Sequence, residues 1–149
     1  MQDEKNLSEG TEEVTRSFKI TGTHWKENCL PSLNDLLSEM GKHPLAYNRL
    51  KTNLERVVIS AIRRDLRSWK AEKQVRLYIL WGERNKGVKR DFDNITGGGK
   101  KIINDALVKS GVIKDDSPKY LLPSRDSFVY TKEPYIEVKI VEEENEKKL

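Results

Sequence analysis

Asp91 and Asp93 stand two residues apart in the run KRDFDN at 89–94. In an extended segment both carboxylates fall on one face, with Cα atoms roughly 6–7 Å apart, and Phe92 points the other way, toward a core. Two converging carboxylates repel, so either one is protonated or a cation lies between them. Asn94 adds a neutral oxygen at the edge. Hard oxygen donors of this kind suit Mg²⁺, with Mn²⁺ as a substitute. Downstream, Asp115 and Asp116 stand beyond a helical stretch, and one of them would complete a three-carboxylate site. The glycine run at 97–99 gives the backbone freedom to approach a phosphate or to turn sharply into that helix. Lys100 and Lys101 then occupy its first turn. Cations there are disfavoured by a few tenths to ~1 kcal/mol, which points to a role such as holding a scissile phosphate or offsetting developing negative charge.

Competing motifs fail on these residues. An EF-hand loop starting at Asp91 needs an oxygen ligand, Gly and Glu where the chain has Ile95, Thr96 and Ile102. A P-loop needs Ser or Thr after Gly-Lys, and Gly99-Lys100 is followed by Lys101. His24, Cys29 and His43 are scattered through one loop region and read as non-ligands. A lone D-x-D is a weak signal, since most such pairs are surface acids or turn formers.

The elements that must position these groups follow from periodicity. Residues 14–21 alternate at Phe18 and Ile20, as in a strand. Residues 22–44 carry Gly22, Pro31, Gly41 and Pro44 and read as a long loop with one short helix at 33–40. Over 45–69, Leu50, Leu54, Val57, Val58, Ala61, Ile62 and Leu66 recur at helical spacing. The opposite face carries Arg49, Lys51, Arg56, Arg63, Arg64 and Arg67, a basic surface that is either solvated or set against phosphates. Residues 74–81 read as a buried strand, 82–90 as a polar basic loop, and 100–110 as a helix stopped by Gly111. Strand-like runs follow at 119–131 and 134–141. The order predicts an α+β domain: one small mixed sheet with a long amphipathic helix and a second helix packed on one face.

The chain has 149 residues, which suits one domain, expected at 14–141. It holds 28 Lys and Arg against 24 Asp and Glu, a net charge of +4. Residues 1–13 carry −4 and residues 142–149 carry −2, leaving +10 for the stretch between. These ends read as a disordered acidic leader and an acidic tail. A basic body favours a polyanionic partner. No apolar run is long enough to span a membrane, no secretory signal opens the sequence, and the one cysteine excludes an internal disulfide. A reducing, cytoplasmic setting is expected.

Taken together, KRDFDN, a Lys ahead of IINDAL, and SGVIKDD resemble the RusA family of Holliday junction resolvases over roughly 30–141, with LPSLN at 30–34 similar to a Pro-Ser-Asn segment of the family. The resemblance implies a RusA-like fold and a small Mg²⁺-dependent endonuclease from a bacterial, prophage-type source. The implied enzyme acts as a homodimer on branched DNA and nicks opposed strands of a four-way junction. It implies that Asp91, Asp93 and Asp116 hold the metal, with Asp115 the acidic neighbour of the third. The family's lysine lies one helical turn before the Asp of D-A-L. That Asp is Asp105, so the match is Lys101, while ITGGG resembles a short insertion that leaves Lys100 as the other candidate. Lys89, Arg90, Arg63, Arg64 and Arg67 are the expected DNA contacts. The alternative is a branched-DNA-binding phage protein on the same fold, non-catalytic or of different specificity.

Overall fold

The computed structural model describes residues 15–143. Four strands form one sheet in the order β1-β4-β2-β3: β1 Thr15–Thr21, β2 Val75–Arg84, β3 Arg125–Thr131 and β4 Tyr135–Glu142. β4 lies antiparallel to both β1 and β2, whereas β2 and β3 are parallel, so the sheet is mixed. Alternation fixes the register. Phe18 sits opposite Val138, Ile79 opposite Val138, and Leu77 opposite Ile140, which places Phe18, Ile20, Leu77, Ile79, Trp81, Ile136, Val138 and Ile140 on one face. A one-residue slip would turn that whole set to water. The helices α1 Leu33–Lys42, α2 Pro44–Leu66 and α3 Phe92–Lys109 cover this face. The core between them holds Phe18, Ile20, Leu54, Val58, Ile62, Trp81, Ile95, Ile102, Ile103 and Leu107.

The helix starts are locally specified. Ser32 caps α1 in a reciprocal box with Asp35. His43 accepts from Ala46 N at 3.3 Å to cap α2, with Pro44 as its first residue. Arg67 ends α2 at φ 61°, a conformation that stops the helix at Leu66. β2 runs three residues past the expected strand, because Gly82 allows Tyr135 to pack closely and Glu83 turns back into the structure.

Three expectations are corrected. First, Arg90–Asn94 is not an extended segment, and the helix does not begin at Lys100. α3 starts at Phe92 and runs through the three glycines. Each Gly costs a helix roughly 0.8–1 kcal/mol against Ala, but the missing side chains let the helix approach its neighbours. A Cβ on Gly98 would lie 2.5 Å from the Pro31 carbonyl oxygen, and one on Gly99 would lie 2.6 Å from Trp81 Cη2 and closer still to the neighbouring ring carbon. Gly97–Gly99 is therefore a packing surface for the Pro31–Leu33 segment and Trp81, not a phosphate-binding turn. Second, the run expected as a strand over 119–131 is one only from Arg125. Pro123 interrupts it, leaving a single bridge from Leu121 to Val75 before that proline. Third, the acidic tail does not begin at 142. Glu142 ends β4, and its buried carboxylate accepts from Glu72 N at 2.6 Å and Lys73 N at 3.0 Å. The expected leader, residues 1–13, and the rest of the tail beyond Glu143 lie outside the described residues.

Candidate active site

The acids of interest sit at the start of α3 and just beyond its end. Asp91 is the N-cap residue, with extended backbone at φ −71° and ψ 142°. Its carbonyl accepts from Ile95 N at 3.0 Å, the first helical bond, but its carboxylate makes no capping bond. An N-cap Asp usually accepts from the next turn, worth about 1 kcal/mol, so these oxygens are left unengaged. Asp93 lies in the first turn, where the positive end of the helix favours an anion. Asp91 and Asp93 are both exposed at a helix start, one as its N-cap and one in its first turn, rather than on one strand face. Phe92 does not enter the core. It is 47% exposed and stacks on Phe128, with ring centroids 4.0 Å apart and planes 12° off parallel.

Helical spacing places Asp93, Lys100 and Asn104 along one stripe of α3, seven and four residues apart. Lys100 is half-buried and donates to Ser124 Oγ at 2.8 Å and Asp126 Oδ2 at 3.3 Å. With Asn104, Asp116, Leu77, Leu121 and Ser124 it lines a concavity of about 340 Å³. Lys101 points elsewhere and is exposed. The two lysines thus lie in the middle of a helix rather than in its first turn, and the electrostatic penalty expected from the sequence does not arise. Asn104 Oδ1 is buried without a hydrogen-bond partner. An orphaned buried acceptor costs ~1–3 kcal/mol, so this atom is available to a water or a cation entering the concavity.

Gly111, at φ 84°, ends α3 and turns the chain toward the closing acids. Asp116 is exposed on the rim of the concavity. Asp115 instead accepts from Ser117 N at 2.7 Å and shapes the turn. Among the described residues, Asp91, Asp93 and Asp116 have no ion pair and no side-chain hydrogen bond, and no three His, Cys, Asp or Glu side chains are gathered closely enough to hold a metal ion together. The donor chemistry is nonetheless that of a hard divalent cation: three unengaged carboxylates and an unpartnered amide oxygen.

Other residues named from the sequence have structural partners. Asn94 Oδ1 accepts from Asn34 N at 2.9 Å and so holds α1 onto α3. Asp105 accepts from Lys51 Nζ at 2.6 Å. Arg90 forms a two-bond pair with Glu83 at 3.0 and 2.8 Å, donates to Leu30 O at 3.1 Å, and its side chain is only 16% exposed. It anchors the residue before Asp91 instead of offering a free cation to DNA. The same cluster lies beside Cys29, whose thiol is pushed up to about 12, first by burial and then by the charge of Glu83. Arg64 donates to Asp65 and to Lys19 O, tying α2 to β1. Arg63 and Arg67 remain exposed, as does Lys89, whose Nζ sits 5.0 Å from the centre of the Tyr130 ring. Sequence reasoning missed Asp126, which accepts from Trp81 Nε1 at 2.9 Å and orients Lys100. It also missed Asn104. Asp126 lies in no recognisable motif, and Asn104 lies within IINDAL, where only the helical register relative to Lys100 could have singled it out.

A family model described as Endodeoxyribonuclease RusA matches residues 36–141, most of the chain. The chain belongs to the RusA endodeoxyribonuclease family. Membership implies an endodeoxyribonuclease that resolves Holliday junctions. No curated protein matches the sequence. The RusA span takes in α2, α3, β2, β3 and all of β4 but its last residue, and with them Asp91, Asp93, Asp115 and Asp116. The Pro31–Asn34 segment precedes the span, yet it is the backbone against which Gly98 packs. No helix among the described residues is long and apolar enough to cross a membrane.

Proposed function

We propose that this RusA family member hydrolyses phosphodiesters of four-way DNA junctions with Mg²⁺ held by Asp91, Asp93 and Asp116, and that a homodimer makes the paired nicks. The observation that carries this reading is Asp116, a carboxylate without a cation partner, on the rim of a concavity that holds the half-buried, oriented Lys100, while the unpaired Asp91 and Asp93 stand at the start of the helix that supplies this lysine. When bound, the divalent ion supplies Lewis acidity to water and phosphate. The chain's own groups then act as follows. Lys100, oriented by Ser124 and Asp126, donates to a non-bridging phosphate oxygen and offsets charge as it develops. Asn104 Oδ1 accepts from a water molecule or from the hydration shell of the ion. The resemblance matches Lys101 and leaves Lys100 as the other candidate; Lys100 is favoured because it shares the concavity with Asp116. Arg63 and Arg67 contact phosphates away from the cut, with salt-sensitive affinity. A two-fold dimer matches the two-fold symmetry of a junction. The expected setting is a bacterial cytoplasm, with a prophage-type source.

One observation favours the rival reading of a non-catalytic branched-DNA-binding protein on the same fold: the three carboxylates are not gathered into one cluster here. A nicking assay on a synthetic mobile four-way junction separates the two. Paired, symmetric, Mg²⁺-dependent nicks that spare linear duplex and vanish in Asp93→Asn support the resolvase. Tight junction binding without cleavage in Mg²⁺ or Mn²⁺ removes the enzyme reading.

A further inference from the structure

Phe92 lies between Asp91 and Asp93, and a large apolar ring at a helix start is half in water. One face of the ring is covered by Phe128 in a near-parallel stack, so the exposure belongs to its rim and outer face. Phe128 and Tyr130 are two apart on edge strand β3 and share the face that turns toward α3. Tyr130 is itself 37% exposed, and Lys89 stands over its ring. Lys86, Gly87 and Val88 complete the exposed loop that leads into α3. Phe92 and Tyr130 lie outside the core, where Trp81 fills the space between sheet and helix at 1% exposure, while Phe128 packs against that core and backs Phe92. The result is a flat aromatic step with a cation at its edge, continuous with the acids of the candidate active site.

We propose that Phe92, backed by Phe128, is a stacking platform for an unpaired nucleobase of the DNA substrate, with Lys89 holding the adjoining phosphate. Flat, exposed π-faces beside cations are the chemistry that binds unstacked bases, because every base offers a face to stack on. A fully paired linear duplex has no such base to offer. A junction centre, where stacking is interrupted, exposes bases at low cost. The platform therefore favours branched over linear DNA and sets which nucleotide lies next to the carboxylates. This inference rests on the junction-nuclease reading for its substrate, but its test does not require cleavage.

The test is equilibrium binding in a metal chelator, using the full chain, a four-way junction and a linear duplex of the same sequence. The readout is the ratio of the two affinities. Stacking is worth about 1–3 kcal/mol per base, so Phe92→Leu is expected to lower the junction-to-duplex ratio about 5- to 150-fold. Phe92→Trp, which keeps a π-face, is expected to retain the ratio. Melting curves of both variants check that each is folded. A ratio unchanged in Phe92→Leu overturns the proposal, as does an equal loss in the Leu and Trp variants. If Phe92→Leu alters the oligomeric state in sedimentation and leaves the ratio alone, the patch is a protein contact and the proposal falls. Junction cleavage in Mg²⁺ with a Phe92-independent ratio would sink the platform and leave the nuclease standing. A Phe92-dependent ratio without any cleavage would do the reverse.

Discussion

The two ends of α3 carry similar residues in opposite states. Near its C-terminal end, Asp105 and the buried Glu55 of α2 are matched by Lys51 and Lys109. Lys51 Nζ lies 2.6 Å from both carboxylates, and Lys109 pairs with Glu55. Glu55 is only 2% exposed, so its charge is tolerable only because it is paired. At the N-terminal end, Asp91 and Asp93 have no cation among the described residues and lie beside an exposed aromatic ring. The same side-chain chemistry thus locks one end of the helix to α2 and stands open at the other. The glycines between the two ends fix where the helix sits against Pro31–Leu33 and Trp81. One end reads as scaffold and the other as reagent, and substitution can test that division.

The largest effect is expected at the open end. Asp93→Asn should lower junction cleavage by about 10²–10³-fold, a loss comparable to removing one charged or hydrogen-bonding group from an active site. Its melting temperature should stay near wild type, because an exposed acid without a partner contributes little to folding. A large loss of stability instead would make Asp93 part of the scaffold and erase the contrast. Gly98→Ala comes next. Its methyl group meets backbone of Pro31 and Ser32 that cannot swing aside, so about 1–3 kcal/mol or more should be lost in denaturant unfolding. A neutral or stabilising result would mean that the close approach of α3 is not built on the missing side chain.

Lys51→Met should cost about 1.5–3 kcal/mol, the worth of hydrogen bonds to charged groups, while cleavage by the folded protein persists. The pH dependence sharpens this. Burial works to lower the Lys51 pKa, but its bonds to Asp105 and Glu55 outweigh it, so the folded value lies above the ordinary 10.5. A group raised on folding stabilises fully below its unfolded value and loses that contribution as pH rises through the folded one. The gap between wild type and Lys51→Met should therefore be constant from pH 7 to about 10. It should narrow only at higher pH. Narrowing near neutrality would mean that another group controls the clamp. The smallest effect is expected from Lys101→Ala, within about 0.5 kcal/mol in stability, with cleavage retained, whereas Lys100→Ala loses cleavage. The reverse order would return the role to Lys101.

Much of the architecture was legible because it rests on short-range periodicity. The apolar stripe from Leu50 to Leu66 gave α2 within a few residues, and the alternation around Phe18 and over 135–140 gave the outer and central strands. The acids and lysines near the site were also legible as residue types. Their conformation was not. Three glycines and a D-x-D suggest loop and strand, because local propensity treats Gly as a helix breaker. The actual helix is set by what lies across from each missing Cβ, the distant Pro31–Leu33 segment and the ring of Trp81.

The sequence by itself determined the sheet-and-helix order, the basic body, and a resemblance to a nuclease family carried by D-x-D-N, D-A-L and D-D. These are properties of residue type and spacing along the chain. Only the tertiary structure decided which charged groups are engaged. It paired Arg90 with Glu83, Asp105 with Lys51 and Asn94 with the start of α1, and it placed Lys100 rather than Lys101 in the concavity with Asp116. The reason is physical. Whether a charge is neutralised depends on distances of a few ångströms between segments far apart in sequence, and those distances exist only once the helices have packed onto the sheet.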